Sequence, residues 1–235
     1  MAEINPQVSV IIPALNEEKT IENIIDRCSR QKIVSQLVVV NDGSTDKTAE
    51  VLDKIRSSRE KRSILTIINH SKNLGKGAAI KTGLREAVGK YVIVQDADLE
   101  YAPEEIAKLY NEAQKTKFGI VFGVRDKSKN RGYFLAHLAN IYLTLMFNLL
   151  FGLRLADSYT CYKLMPKKVW DAIKLKSNGF EIESELISKL GKLKYKVREV
   201  PISYNPRKYS EGKKIKWFDM VKATIVALKI RFGGF

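Results

Sequence analysis

Residues Lys90–Tyr101 read KYVIVQDADLEY, an apolar run that breaks abruptly into acid. Tyr91-Val92-Ile93-Val94 has the composition of a buried strand, and Asp96, Asp98 and Glu100 follow it at alternate positions. Three carboxylates gathered past one strand repel one another, in a chain that is otherwise basic, with 41 Lys and Arg against 26 Asp and Glu. Carboxylates at this spacing, with no His or Cys nearby, suit a hard divalent cation, Mg2+ or Mn2+, which would cancel the repulsion and bridge to a ligand's phosphates. Asp-X-Asp alone is common in surface loops, and its bland reading is a capped turn ahead of a helix that starts at Pro103.

The neighbouring sequence gives the stretch a context. Val8–Ile12 (VSVII) reads as a short buried strand stopped by Pro13, and Thr20–Arg30 as a helix with Ile21, Ile24, Ile25 and Cys28 on one face. Leu37–Val40 is a second strand, followed by a helix from Ser44 or Thr45 to Ser57. Ile64–Ile68, Tyr91–Gln95 and Gly119–Val124 read as further strands, with helices over Gly77–Val88 and Pro103–Lys115 between them. Strand alternates with helix four times through short connections, which predicts an α/β fold with a mostly parallel, Rossmann-like central sheet and helices on both faces. In such sheets ligands sit beyond the carboxyl ends of the strands. ALNEE, NDGSTD and QDADLE all fall there and should converge on one rim.

On that rim, Asn16-Glu17 follows the first strand and Asp42 with Ser44-Thr45-Asp46 the second. Asn73-Leu74-Gly75-Lys76-Gly77 precedes the third helix; its glycines, its lysine and the helix N-terminus read as a phosphate cradle, although it is neither a Walker loop nor GxGxxG. Each of these features alone has an ordinary reading as a cap, a turn or loop punctuation.

The second half is less regular. Tyr133–Leu155 is apolar for more than twenty residues but carries His137, Asn140, Asn148 and Gly152, which favours a helix lying on the domain or at a lipid surface over a membrane span. A strand is expected within Ser158–Met165, a helix over Glu181–Leu190, one or two strands within Val197–Tyr204, and an amphipathic helix over Lys214–Arg231. We read one domain, 1–212, with a C-terminal amphipathic appendage, 213–235.

Composition narrows the chemistry. The formal net charge is +15, and most of the basic excess lies beyond Thr160, so an anionic partner such as phosphate or an acidic lipid surface is expected. Cys28 and Cys161 are too few for a disulfide framework or a thiolate zinc site. His70 and His137 stand in unrelated contexts, which argues against a His-based metal site or a histidine-dependent triad. MAEINPQ leads directly into a strand with nothing like a secretory signal, so a reducing, cytoplasmic setting is expected.

VSVIIPALNEEKTI, LVVVNDGSTDKT, NLGKGAAIKTGL and VIVQDADLE, in this order, resemble the family-2 glycosyltransferases of the GT-A fold. The tail GFEIESELISKL followed by VREVPISYNPRKYSEGKKIKW is similar to the polyprenyl-phosphate sugar synthases, the dolichyl-phosphate mannose synthase group and its glucose and N-acetylhexosamine relatives. The resemblance spans roughly Val8–Trp217. It implies that Pro13, Ala14, Asn16 and Glu17 line the nucleoside pocket, that Asp42 binds the base, and that Asp96 and Ala97 lie beside ribose and diphosphate. Asp98, with Asp96 and Glu100, would hold the metal; many relatives have glutamine at the last position. Arg125 and Arg131 match the region that grips the acceptor phosphate, and Arg207 and Lys214 the region closing over the donor diphosphate, while Lys76 of the phosphate cradle is expected to bind the nucleotide sugar. ADSYTCYK departs from the Asp-Pro-X-Ser-Gly-Phe-type stretch of relatives.

The implied reaction moves a hexosyl group from a GDP- or UDP-sugar to a polyprenyl or dolichyl phosphate at the cytosolic membrane face. A phosphate acceptor is already anionic, so it needs placement and no protein base. A hydroxyl acceptor would need a poised carboxylate, and Asp157 stands alone in that region. The family-2 alternative, transfer to a sugar hydroxyl of a glycan, stays open, and both donor bases are compatible with Asp42. A nucleic-acid module would need basic residues interleaved with exposed aromatics, for which Tyr204, Tyr209 and Trp217 beside Arg207 and Lys213 are the only candidates, so no nucleic-acid partner is expected. A nucleotidyltransferase would need a glycine-rich basic loop after the first strand. The chain would reach the membrane through its own amphipathic helices on anionic lipid, or through a membrane partner protein.

Overall fold

A computed structural model describes residues 7–57, 63–126, 134–207 and 217–233. Along the chain run β1 (Val8–Ala14), α1 (Ile21–Ser29), β2 (Val34–Asn41), α2 (Thr48–Ser57), β3 (Leu65–Asn69), α3 (Lys76–Glu86) and β4 (Tyr91–Val94). A 3-10 turn at Pro103–Glu105 enters α4 (Ile106–Ala113), followed by β5 (Val121–Arg125), α5 (Phe134–Phe151), β6 (Lys163–Pro166), α6 (Lys167–Ile173), α7 (Ile182–Lys192), β7 (Arg198–Ile202) and α8 (Trp217–Phe232).

The strands form one seven-stranded sheet in the order β3-β2-β1-β4-β6-β5-β7. All four residues of β4 are buried, and β1 is buried at all but one position, odd and even alike. A strand buried at successive residues is covered on both faces, which explains its unbroken apolar composition. Helix α1 buries the expected face, Ile21, Ile24, Ile25 and Cys28.

The parallel rhythm has one exception. β6 runs antiparallel to both β4 and β5, while β5 and β7 pair in parallel. After α5 the chain returns to the rim end of β5, where Arg125 meets Asp157, so the next strand must run down the sheet. β6 also starts later than expected. The amides of Ser158, Cys161 and Tyr162 donate to Thr144 Oγ1, the Tyr101 hydroxyl and Thr160 Oγ1, and are spent before the ladder begins. Pro13, expected to stop the first strand, lies inside it opposite Val40. The β1–β4 ladder ends at Ile11–Val94, so the missing N–H of Pro13 falls beyond the last pair on that side.

Helix α5 buries polar residues beside the apolar Leu143 and Phe147. Asn140 and Thr144 are buried, and with Asn148 they tie the helix to the domain at intervals of one turn. Asn140 Nδ2 donates to Asp157 (2.9 Å), Thr144 Oγ1 meets Ser158 Oγ (2.9 Å), and Asn148 both donates to Leu155 O and accepts from Leu155 N (2.9 Å each). Leu138, Ile141, Tyr142, Leu145 and Leu149 are exposed instead. α8 packs on α7 and α5 and leaves Phe218, Val221, Ile225, Leu228 and Phe232 exposed. No helix among the described residues is long and apolar enough to cross a membrane.

The glycines around Lys76 serve packing and are not an open phosphate cradle. Ala78 N donates to Asn178 O (3.1 Å), so the loop before α7 caps α3 and fills the space a phosphate would need. A Cβ on Gly77 would lie 2.6 Å from Ser177 O, and one on Gly75, whose φ is +100°, 2.4 Å from Asn178 O. Alanine ordinarily gains about 1 kcal/mol over glycine inside a helix. Here Gly77→Ala should lower the melting temperature, because both opposing atoms are backbone; thermal denaturation checks it, and a rise would show that the loop yields.

Candidate active site

Loops at the carboxyl ends of β1, β2 and β4 meet as expected, joined by the segment that follows β7. The first two are stitched directly. Asn16, with φ of 56°, accepts from Thr45 N at Oδ1 (2.8 Å), while its own amide donates to Ser44 Oγ (3.0 Å). Glu17 N donates to Thr48 Oγ1 (2.9 Å) and Lys47 N to Glu18 Oε2 (2.9 Å). Pro13 and Ala14 end the strand beneath this pair of loops, with Ala14 and Ala97 both buried.

Asp42 is buried, and its amide donates to Ala14 O (2.8 Å). Oδ1 accepts from Leu74 N (3.0 Å) and pairs with His70 Nδ1 (2.7 Å), while Oδ2 accepts from Gly75 N (2.8 Å). His70 Nε2 lies 3.0 Å from Thr82 Oγ1, so the ring, standing just past β3, links Asp42 to α3. The sequence had isolated His70; only its place just past a strand, like Asp42 and Asp96, marked it for the rim. Lys76 reaches the loop that follows β4 and joins a part-buried ionic ladder. Its Nζ lies 2.7 Å from Asp96 Oδ1 and 3.9 Å from Glu183 Oε1, and Glu183 Oε2 in turn pairs with Lys163 Nζ (2.8 Å). Lys163 and Glu183 carried no expectation from sequence, because a lysine inside a strand and a glutamate inside a helix ordinarily face solvent.

The three carboxylates of the opening motif go to three different environments. Burial opposes the charge of Asp96, but Lys76 outweighs it and holds the carboxyl below its ordinary value. Glu100 accepts from the Tyr204 hydroxyl at Oε2 (2.7 Å) and from Arg207 N at Oε1 (2.9 Å). Asp98 accepts Glu100 N at Oδ1 (3.1 Å), and burial together with the charges of Asp96 and Glu100 pushes its carboxyl up to about 7. The expected three-carboxylate metal cluster is therefore not assembled: among the described residues no three His, Cys, Asp or Glu side chains converge on one point. Asp96 is drawn off by a lysine and Glu100 by the β7 segment. Asp98 retains hard oxygen donors whose negative charge is under-compensated, and this fits a divalent cation.

Arg207 spans the rim. Its Nη2 donates to Glu17 Oε2 (2.7 Å) and its Nε to Asp98 O (2.8 Å). Arg125 forms a bidentate pair with Asp157 through Nε and Nη2 (2.7 and 2.8 Å), and its guanidinium stacks over the Tyr204 ring at 5.1 Å. Arg131, Lys213, Lys214 and Tyr209 lie outside the described residues, as does the side chain of Trp217.

The raised Asp98 carboxyl has a consequence for stability. In the folded state it keeps a proton between about pH 4 and about pH 7 that the unfolded chain has released, so its contribution is lost as pH rises through about 7. In chelator, Asp98→Asn should melt above the parent at about pH 8, and the gap should close towards about pH 4. Thermal melts across that range check it; a gap independent of pH contradicts the assignment.

The model of the family described as "Glycosyl transferase family 2" matches residues 9–173. A dolichyl-phosphate β-glucosyltransferase of Trichomonas vaginalis is 30% identical over 247 residues, covering 95% of this chain and 72% of that one. The low-salt glycan biosynthesis hexosyltransferase Agl6 of Haloferax volcanii is 28% identical, over 88% of this chain and 49% of its own. An undecaprenyl-phosphate 4-deoxy-4-formamido-L-arabinose transferase of Pectobacterium atrosepticum is 35% identical, over 66% and 46% respectively. The chain thus spans about half the length of the latter two relatives. In structure it is similar to glucosyl-3-phosphoglycerate synthase of Mycobacterium tuberculosis, solved with Mn2+ and UDP, at a TM-score of 0.71 and 22% identity over 97% of this chain and 80% of that one. The seven-stranded sheet is that of the GT-A fold, and the chain belongs to glycosyl transferase family 2.

Proposed function

We propose that the chain transfers a hexosyl group from a nucleotide sugar to a polyprenyl phosphate at the cytosolic face of a membrane, with a divalent cation. The observation that carries the choice of acceptor is the state of Asp157. It is fully buried, and both of its oxygens accept from Arg125, one of them also from Asn140. A carboxylate so engaged does not serve as general base for a hydroxyl, whereas an anionic phosphate needs none. The relatives named for dolichyl and undecaprenyl phosphate support the same reading.

The donor would lie on the rim between the Asn16–Glu17 loop and Asp98. Asp42, with one contact at Oδ2, keeps acceptor capacity for an N–H of the base. Asp98 would hold Mg2+ or Mn2+, with Asp96 beside it, and the cation would stabilise charge on the leaving diphosphate. Arg207 brings a guanidinium to the same rim and would pair with phosphate oxygens as that charge grows. Arg125, oriented by Asp157 and by the Tyr204 ring, would face the acceptor phosphate, joined by Arg131. The exposed apolar stripes of α5 and α8, with Lys222, Lys229 and Arg231 also exposed on α8, are what a helix pair lying in an anionic lipid surface requires.

Transfer assayed with UDP- and GDP-hexoses onto polyprenyl phosphate should require Mn2+ or Mg2+. Asp98→Ala should cost roughly two orders of magnitude or more in rate, the scale of losing a major electrostatic stabiliser. Full activity in EDTA overturns the metal, and transfer to free sugars but not to the lipid phosphate overturns the acceptor.

Binding to vesicles with anionic lipid should weaken with salt and fall when Leu145 and Leu149 on α5 become Ser. Co-sedimentation decides it; indifference to lipid charge and to these changes would assign recruitment to a partner protein.

A further inference from the structure

His70 stands where the ends of β2 and β3 meet α3, and it is nearly as buried as the aspartate it touches. Its amide donates to Asn41 O (2.9 Å), and its side chain is 9% exposed against 4% for Asp42. Nδ1 lies 2.7 Å from Asp42 Oδ1, and Nε2 lies 3.0 Å from Thr82 Oγ1, which itself accepts from Arg85 Nη2 (3.0 Å). The ring is held from both sides, and its partners fix its hydrogens. A carboxylate oxygen only accepts, so Nδ1 must carry the hydrogen between them.

An ionised carboxyl group offers about four acceptor sites, shared equally between its oxygens. The consecutive amides of Leu74 and Gly75 take one on each oxygen (3.0 and 2.8 Å). They hold the group but treat its two oxygens alike. His70 makes them different: Oδ1 has two donors, and among the described residues Oδ2 has one. The open site is therefore on Oδ2.

We infer that His70 is a positioning residue that fills Asp42 Oδ1 and leaves Oδ2 to meet the donor's base, which sets a preference for a base with a ring N–H. The inference deepens the proposed function, since it rests on the base meeting Asp42. Uracil at N3 and guanine at N1 present a ring N–H, whereas cytosine at N3 presents a lone pair that a carboxylate repels. A site built around an acceptor rejects a base with no hydrogen to give. Without His70 each oxygen has an open site, and the N–H is no longer met in one fixed place.

Two variants test the role. His70→Ala removes the ring, and His70→Asn keeps a donor where Nδ1 stands and loses only the Thr82 contact. Calorimetry gives Kd for UDP, GDP and CDP, each with Mn2+. The parent should bind UDP or GDP at least about tenfold more tightly than CDP. In His70→Ala the preferred nucleotide should weaken roughly tenfold and CDP less than about threefold, while His70→Asn should keep the preference within about threefold of the parent. Loss of packing alone would weaken all three alike and leave the ratio unchanged. Nitrogen NMR of the imidazoles in the ligand-free protein reads the contact itself. His70 and His137 are the only histidines, so His70→Asn assigns the signal, and Nδ1 should carry a hydrogen. The inference is overturned by a bare Nδ1, by an unchanged ratio in His70→Ala, by His70→Asn behaving as His70→Ala, or by a parent that takes CDP as well as UDP and GDP. A parent that binds none of the three brings down the donor-site reading and the base preference with it, while the ring signal still decides the contact with Asp42.

Discussion

Repulsion among Asp96, Asp98 and Glu100 is the constraint around which the rim is organised. Two unit charges about 6 Å apart cost about 3 kcal/mol at an effective dielectric of about 20. A domain's whole net stability is only about 5–15 kcal/mol, so three such neighbours cannot be left to themselves. The fold gives each a separate settlement. Asp96 receives Lys76 from the first turn of α3, Glu100 receives the segment after β7, and the Asp98 carboxyl is pushed up to about 7. Each settlement also fixes something else. The lysine ties α3 to β4 and, through Glu183 and Lys163, to α7 and β6. The segment after β7 carries Arg207, and Asp98, which no cationic side chain neutralises as Lys76 does Asp96, is where a cation has most to gain.

The same logic runs through the acceptor side. Burying Asp157 is tolerable because Arg125 and Asn140 satisfy it, and Arg125 is tolerable because Tyr204 covers its face. Tyr204 then hands its hydroxyl to Glu100. A continuous chain of contacts thus links α5, through Asn140, Asp157, Arg125 and Tyr204, to the carboxylates of the β4 loop. Removing a middle member would leave a buried charge unpaired, which costs more than the lost contact alone.

What could be read from sequence was whatever depends on local pattern. The apolar runs at Val8, Leu37 and Tyr91 mark strands buried on both faces, and their polar successors mark one rim, because a parallel sheet forces that geometry. What could not be read depends on partners distant in the chain. Gly75 and Gly77 looked like a phosphate loop because both uses demand a bare backbone; the occupant, the Ser177–Asn178 backbone, comes a hundred residues later. Glu100 stands two residues from Asp98, and the donors that meet it, Tyr204 and Arg207, arrive from beyond residue 200. His70 had only its place just past a strand to mark it, since a single side chain joining two elements leaves no periodic trace. The reversal of β6 was hidden for a related reason: its direction is set by where α5 delivers the chain, and four residues of strand carry no sign of polarity.

Helix α5 buries Asn140 and Thr144 beside Leu143 and Phe147 and leaves Leu138, Leu145 and Leu149 outward, and this bears on how the protein behaves in bulk water. Folding does not remove those leucines from solvent, so they add little to the stability of the monomer while lowering its solubility. Stability and colloidal behaviour are thereby uncoupled. A preparation can melt high and cooperatively and still self-associate as concentration rises, through a face that detergent or lipid would cover. Its apparent mass in solution then reports on the amphiphile present as much as on the polypeptide.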